Sequence, residues 1–573
     1  MSRPRKARAP APAAPAAPPA PDRAALRYAL PSLAVVALGI LAYSNSLHGQ
    51  FVFDDLEQLV ENGAIRDLGT FLGSSVHRVL PNRFAAYLTF ALNHSLGGYD
   101  PFGWHVANLA IHLCNALLVQ AFVLLAFRSP RMGDSALAPS APAAAFAAAA
   151  LFVAHPLATQ AVSYVVQRIT SLATLFYLAA TVLYLLWRLR GGKAGRWLLY
   201  AGLLLASLLA VRTKEISFTL PFSLALVEWA LFTGGPRRWL PILPVAAIAL
   251  LIPLSLVDLG GSPSGMLASA DSSTRVLAPA GRLDYLRTQA VVVVGYLRLL
   301  VLPFGQSVDH LVAVRRSWWA PDVAGSVLLL ASLGGLAAWL FWRSRPRDGK
   351  PPLDPAVRLV GLGIAWFFVT LSVESSVIPI ADVMNEHRVY LPAAGLFPAA
   401  ATLLALLFMR LDARHVGRDT AVAGAVLASL LGVVTWNRNL AWRDEIALWS
   451  DAAAKSPGHY RPVFNWGAAL TKQRRFAEAA VIFRRGVELD PRSVAARVQL
   501  GVVIYLSGDP RGAEVELRQA VALAPDDADA LLNLSVLLGA VGKKDEARVY
   551  LERLRRVAKS PGDRAWAEAE LAR

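Results

Sequence analysis

Between positions 29 and 437 the sequence is a succession of apolar runs of about 18–22 residues, and beyond 437 the runs stop. A run of that length crosses the ~30 Å hydrocarbon core of a bilayer as a helix. In hydrocarbon every backbone polar group must be satisfied within the segment, so runs of this kind leave few other folds open. The spacing predicts eleven spans, near 28–47, 104–127, 142–156, 169–188, 197–211, 216–233, 239–257, 323–342, 356–373, 389–410 and 419–437. The fold class expected is all-α: a polytopic helical bundle followed by a separate soluble unit.

Net charge is +17 over 573 residues. Much of the excess lies in short loops between apolar runs, as topology signals do, so nucleic-acid binding is set aside. Residues 1–27 are Ala/Pro-rich with Arg3, Arg5, Lys6, Arg8, Arg23 and Arg27, the composition of a disordered cytoplasmic tail. With that tail inside, loops 128–141, 188–196 and 235–238 fall inside too, and each carries arginine. The run 285–303 decides the rest. If it crosses, Arg343, Arg345, Arg347 and Lys350 land outside; if it is re-entrant or lies along the outer surface, they return inside. The second choice agrees with the positive-inside rule and exports the C-terminus. In a bacterium this means an inner-membrane protein with periplasmic repeats. The one cysteine, Cys114, sits in an apolar run and has no partner for an intrachain disulfide.

The C-terminal part, 438–573, repeats with a period of 34. Pro457, Pro491 and Pro525 recur at that spacing, as do Gly467, Gly501 and Ser535, and Ala479, Ala513 and Ala547. Phe483, Leu517 and Leu551 form a further set, with Trp449 in register one period earlier. Small residues let two antiparallel helices approach, a large apolar residue fills the gap, and proline ends the second helix. The stretch "NWGAALTKQRRFAEAAVIFRRGVELDP" resembles a tetratricopeptide repeat position by position. Such a solenoid has a groove whose default role is to bind a peptide or partner protein.

Charged residues beside the exported ends of the spans are the candidates for chemistry. The first exported loop holds Asp54 and Asp55 side by side. Adjacent carboxylates repel, which raises a pKa and suits a general base, or alternatively a divalent-metal ligand. The same loop holds His77, Arg78 and Arg83; other outer loops hold His155 and Arg168, Lys214 and Glu215, Asp309 and His310, and Glu374, Asp382, Glu386, His387 and Arg388. Arginine and lysine on that side oppose the topology rule, and a pocket for an anionic phosphate gives them a reason. His105, Asn108 and His112 share one helical face, where they hydrogen-bond neighbouring helices or serve the site. There is no P-loop, dinucleotide fingerprint, Cys/His metal spacing or serine-hydrolase elbow.

The segments "FVFDDLEQLVEN", "GWHVANLAIHLCNALL", "LFVAHPLATQAVSYVVQRITSLATLFYL", "RTKEISFTLP" and "NEHRVYLPAAGLFP", in that order and followed by repeats, carry a family resemblance. Together they resemble the transmembrane and tetratricopeptide repeat-containing O-mannosyltransferases and their bacterial relatives. The resemblance implies a GT-C membrane glycosyltransferase over 28–437, inverting, which takes a sugar such as mannose or another hexose from a polyprenyl phosphate. The acceptor it implies is a hydroxyl of an exported protein brought by the repeats. It makes Asp54 or Asp55 the catalytic base and gives the phosphate to Arg168, Lys214 and Arg388, with Glu386 and His387 matching the family's stretch before "YLP". The chain departs from the family at "PNRFAAYL", where only Arg83 is retained. The competing expectations are a non-enzymatic membrane-anchored scaffold, a transporter, and a transferase acting on lipid or polysaccharide.

Overall fold

The computed structural model describes residues 23–73, 81–192, 195–255, 281–345, 352–376, 379–380 and 382–573. The tail 1–22 and His77, Arg78, Lys193, Arg347 and Lys350 lie outside the described residues. Among the described residues there is no strand, and the longer helices are α1 Arg23–Tyr43, α2 Phe84–Gly97, α3 Pro101–Phe127, α4 Ala141–Ala154, α5 Arg168–Leu189, α6 Arg196–Val211, α7 Leu220–Leu231, α8 Leu243–Ala249, α9 Arg282–Val301, α10 Pro321–Arg343, α11 Val357–Leu371, α12 Tyr390–Leu411 and α13 Val416–Asn439. The repeats follow as α14 Glu445–Lys455, α15 Tyr460–Lys472, α16 Phe476–Leu489, α17 Val494–Leu506, α18 Pro510–Leu523, α19 Ala528–Ala540, α20 Lys544–Val557 and α21 Pro561–Leu571. Helix α1 starts at Arg23, inside the segment expected to be tail, because 23–27 contains Ala24, Ala25 and Leu26 and no proline.

Among the described residues seven helices are long and apolar enough to cross a membrane, and the pair Ala138–Ala154 and Pro156–Val162, bent by 50°, makes an eighth when taken as one span. The bend falls at His155-Pro156, since proline cannot continue the helical hydrogen bonding. Each of the eleven expected segments overlaps a helix, but α6, α7 and α11 have 16, 12 and 15 residues and are short for a lone span.

Contacts sort the connections onto two ends of the bundle. At one end Arg131 N donates to Leu231 O at 3.1 Å, Arg358 Nη1 to Ala230 O at 3.0 Å, and Ser135 Oγ to Asp354 at 2.6 Å. At the other, Asn439 Nδ2 donates to Ala42 O at 2.9 Å, His387 N to Gln160 at 2.6 Å, and Gln50 N to Arg443 O at 2.9 Å. Helix α9 touches this second end along its whole length. Tyr285 Oη donates to Glu374 O (3.2 Å), Gln289 Nε2 to Val383 O (2.8 Å), Asn385 N to Tyr296 Oη (2.9 Å), and His155 Nε2 to Leu300 O (3.1 Å). A crossing helix would have its two termini at opposite ends; α9 lies across one.

In the solenoid the small residues sit where a Cβ has no room. A Cβ on Gly467 would come within 2.8 Å of the Phe483 ring, and one on Gly501 within 2.7 Å of Leu517. The turns between helices use positive φ at Arg474 (58°), Gly508 (94°) and Gly542 (83°), so the first repeat carries a strained arginine where the others use glycine. The opening repeat helix packs on the second end of the bundle. Trp449 is 2% exposed and meets the Phe53 ring edge to face at 5.0 Å, while Tyr164 stacks on Trp442 at 5.2 Å.

Candidate active site

The first exported loop turns at Phe53, whose φ of 54° is an outlier for a bulky side chain. The turn separates the two carboxylates. Asp55 is fully buried: its Oδ2 accepts from Val52 N at 3.1 Å and its Oδ1 from Val166 N at 2.7 Å. Burial pushes its carboxyl up to about 7 against those two bonds. Asp55 therefore ties the loop to the turn at Val165–Gln167 and has no oxygen facing a substrate, which corrects its reading as a catalytic group. Among the described residues no three His, Cys, Asp or Glu side chains are grouped to hold a metal ion.

Asp54 is half-buried, and its N–H donates to Tyr164 Oη at 3.1 Å. Burial raises its carboxyl above the ordinary value, opposed by the Tyr164 hydroxyl and by Arg461, and reinforced by Asp382 and Glu57. A carboxylate in that state is a competent proton acceptor for a hydroxyl.

The second group surrounds Glu374. Lys214 Nζ lies 2.8 Å from Glu374 and donates to Thr170 Oγ1 at 3.0 Å, with Lys214 7% and Glu374 11% exposed at the side chain. Burial works to raise the Glu374 carboxyl, but Lys214 and Arg388 outweigh it and hold it below the usual range. Burial lowers the Lys214 ammonium against the attraction of Glu374. Arg83 also faces Glu374 and pairs with Glu215 at 2.8 Å. Arg388 donates through Nη2 to Asp382 O at 2.6 Å and through Nη1 to Val383 O at 3.1 Å. His387 is buried among Lys214, Arg388 and Arg83, and its Nδ1 has no hydrogen-bond partner. Lys214, Arg388 and Arg83 against Glu374 and Glu215 leave this pocket with one positive charge in excess, the sign an anionic phosphate needs.

Asp382 joins the two groups. Its carbonyl holds Arg388, its carboxylate accepts from Arg461 Nη1 at 2.9 Å, and its charge acts on Asp54. Beside this junction an apolar crevice of about 290 Å³ opens between α9, α10 and α11, lined by Leu286, Val293, Leu330, Phe368 and Leu371 with Ser375 at its rim.

Several expected site residues serve the scaffold instead. Arg168, expected to hold phosphate, is 1% exposed. Its Nε donates to Asn108 Oδ1 at 2.6 Å, its Nη2 to Trp104 O at 3.0 Å and its Nη1 to Thr89 O at 3.3 Å, while its plane lies over Phe90 and Trp104. With its donors so occupied it is a packing residue. His105 donates to Gly49 O at 3.0 Å, and His112 bridges Val153 O and Tyr390. His155 caps the turn after α4 by accepting from Leu157 N at 3.2 Å. Glu386 accepts from Ser307 N (2.7 Å), Gln306 (3.1 Å) and His310 (2.9 Å), fixing the 306–310 segment. Asp309 receives Arg461. Sequence reasoning passed over Arg461 and Tyr164. Arg461 left a signal, since the equivalent positions one and two periods on are Ala495 and Asp529.

The fold and site define a polytopic helical membrane protein with a charged pocket at one end, covered there by tetratricopeptide repeats. A tetratricopeptide-repeat family model matches residues 505–570. Over most of its length the chain is similar to curated protein O-mannosyl-transferases, the family whose resemblance was read from the motifs. Protein O-mannosyl-transferase Tmtc3 of Drosophila melanogaster is 26% identical over 566 residues, covering 87% of this chain and 59% of that protein. Protein O-mannosyl-transferase TMTC4 of Mus musculus is 27% identical over 503 residues, covering 79% and 65%. The chain thus spans about three-fifths of the length of the relatives it matches. Among solved structures, ArnT of Cupriavidus metallidurans bound to undecaprenyl phosphate aligns over 85% of this chain and 79% of that one, at 16% identity and a TM-score of 0.38.

Proposed function

We propose that this chain is a membrane glycosyltransferase of the GT-C type that moves a sugar from a polyprenyl phosphate to a Ser or Thr hydroxyl of an exported protein. The observation that carries the reading is one of position. Asp54, the positive pocket around Glu374 and the first repeat all meet at one end of the bundle, linked through Asp382. The opposite end gathers Arg131, Arg238, Arg345 and Arg358, which by the positive-inside rule faces the cytosol. The site and the repeats are then exported, into the periplasm in a bacterium.

The acceptor oxygen attacks the anomeric carbon as the bond from that carbon to the phosphate oxygen breaks. The phosphate leaves with the bonding electrons, and the acceptor proton passes to Asp54. Lys214, Arg388 and Arg83 stabilise the charge growing on the leaving phosphate. The crevice between α9, α10 and α11 gives the isoprenoid tail a path in from the bilayer. The relatives' names point to mannose as the sugar, and the repeats to a protein acceptor.

The test is transfer of labelled mannose from polyprenyl-phosphate mannose to a Ser/Thr-rich acceptor by the purified full chain. Transfer abolished by Asp54→Asn with the protein still folded supports the reading. Unaltered transfer by that variant refutes the assignment of Asp54, and no transfer with any polyprenyl-phosphate hexose favours a scaffold.

A further inference from the structure

A second crevice, of about 770 Å³, lies where the last membrane helix α13 meets the first repeat helix α14. The segment after α9 closes its third side. Its polar end is formed by Arg438, Asp451 and Lys455, and its apolar flank includes Phe304 and Leu440. It is separate from the pocket around Glu374, since neither Glu374 nor Lys214, Arg388 or Arg83 lines it.

The hydrogen bonding in this crevice is incomplete. Arg438 has a side chain only 6% exposed and donates through Nη1 to Asp451 at 2.6 Å. Its Nε and Nη2 have no hydrogen-bond partner, although the Trp442 ring lies 6.0 Å away. Lys455 shares the same carboxylate at 2.7 Å, and Arg443 at the mouth pairs with Asp444. Glu386 faces Arg438 from the far side, but its oxygens receive Gln306, Ser307 and His310. Asp451 thus hydrogen-bonds both cations, and two nitrogens of Arg438 remain unmet. Leaving buried guanidinium donors unmet is costly.

The flank is apolar and continuous with the lipid-facing side of α13. Leu440 is 50% exposed and Phe304 65%, and Val433 and Leu430, on α13 itself, are 62% and 61% exposed. A free anion would meet the arginine and leave this flank bare. A molecule with an anionic head and a hydrocarbon body covers both.

We propose that this crevice holds the phosphate headgroup of an anionic membrane phospholipid, wedged between the last membrane helix and the first repeat. The headgroup accepts from Arg438 and Arg443, and its acyl chains run down α13. A lipid there fastens the solenoid to the membrane surface and fixes the height of the repeats above the donor pocket. The proposal does not depend on the transferase reading.

The full chain is reconstituted in vesicles of phosphatidylglycerol and phosphatidylcholine, extracted, and weighed intact by native mass spectrometry. The wild type is expected to retain one phosphatidylglycerol in excess of the non-specific distribution. Arg438→Gln is expected to reduce that retention roughly tenfold, the loss of one charge-assisted hydrogen bond. Because Arg438→Gln also removes an ion pair, Ala454→Trp serves as a second variant. It fills the crevice from exposed α14 and leaves the charges in place, and it is expected to reduce retention equally. Retention that is the same in wild type and Ala454→Trp overturns the proposal. So does thermal stabilisation by inorganic phosphate equal to that by phosphatidylglycerol, which would make this a free-anion site.

Discussion

Arg461, in the first repeat, grips Asp309 of the membrane domain with two bonds of 2.6 Å, from Nε and Nη2. Its remaining Nη1 reaches Asp382 at 2.9 Å, and the Asp382 carbonyl holds Arg388 at 2.6 Å. The repeat domain is therefore part of the geometry that positions the proposed donor pocket. Hydrogen bonding to Asp309 raises the guanidinium pKa, so the cation persists at any working pH. Arg461→Ala leaves Asp309, 5% exposed, without its guanidinium partner; with Arg461 itself 44% exposed, the loss is on the order of 1–3 kcal/mol. Transfer is expected to fall at least tenfold, with KM for the lipid donor rising. Arg461→Lys recovers only part, because an ammonium cannot make the two-pronged contact. Steady-state kinetics with donor and acceptor varied separately decide this; an unchanged donor KM would refute the coupling.

The adjacent carboxylates are expected to fail differently. Asp54→Asn removes the proton acceptor and should lower kcat by about 10²–10⁴-fold with little change in melting temperature. Asp55→Asn keeps one acceptor oxygen but turns an NH₂ toward Val52 N or Val166 N, leaving a buried donor unmet at a cost of about 1–3 kcal/mol. It should lower the melting temperature and the yield of folded protein more than the rate per folded molecule. Parallel activity and thermal unfolding assays of the two variants separate these outcomes.

What the sequence made legible depended on how locally each feature is encoded. The apolar runs announce the bundle because span length is a property of one contiguous segment. The repeats announce themselves because Gly467 against Phe483 and Gly501 against Leu517 recur at a fixed offset. The site was legible only as a set of charged residues at one end. Which of them face a cavity depends on partners distant in the chain: Asp55 is held by Val166, 111 positions away, and Asp309 by Arg461, 152 away. An arginine that binds phosphate and one that braces Asn108 and Trp104 are the same letter, so Arg168 read as a ligand until its neighbours were placed. The run 285–303 was ambiguous because a helix lying across the outer end buries nearly the same apolar face as one that crosses.

Activity and stability should respond to pH through the two aspartates in opposite senses. As the proposed base Asp54 acts only when ionised, and burial raises its pKa, so kcat/KM should climb with pH along an acid limb centred above the ordinary carboxylate value. Glu57→Gln removes a neighbouring negative charge and should move that limb to lower pH, by less than about one unit. Asp55 is raised from 3.8 to about 7 in the folded chain, so folding favours its protonated form. That contribution is complete below pH ~4 and is lost as pH rises through about 7. The difference in melting temperature between wild type and Asp55→Asn should therefore vary over this window, and a difference constant with pH would refute the shift.

Lys214 is buried against Glu374, 2.8 Å from it, and is proposed to bind the donor phosphate. Lys214→Met is expected to raise KM for the lipid donor by tenfold or more, the effect of losing one charge-assisted contact to phosphate. Glu374→Gln should act the other way on binding. Without that carboxylate, Lys214 loses the anion paired with it, and product polyprenyl phosphate should inhibit at lower concentration. Measured inhibition constants that move in the same direction for both variants would show that Glu374 does not compete with phosphate.

Arg168 supplies the reverse control. Its guanidinium joins Asn108 and the carbonyls of Trp104 and Thr89, and the Phe90 ring lies 4.9 Å from its centre, so it clamps α2, α3 and α5 together. Arg168→Lys cannot reproduce three directed contacts and strands Asn108 Oδ1 in a buried setting, which places the loss at a few kcal/mol. The variant should show reduced yield in membranes and a lowered melting temperature. The fraction that folds should keep the wild-type KM for lipid donor, since none of the nitrogens reaches the pocket. Asn108→Asp is expected to destabilise as well, because its second oxygen faces the carbonyls of Val162 and Val165 to which Nδ2 donated. A raised donor KM in folded Arg168→Lys, with unfolding unchanged, would return Arg168 to the phosphate site and overturn its placement as a clamp.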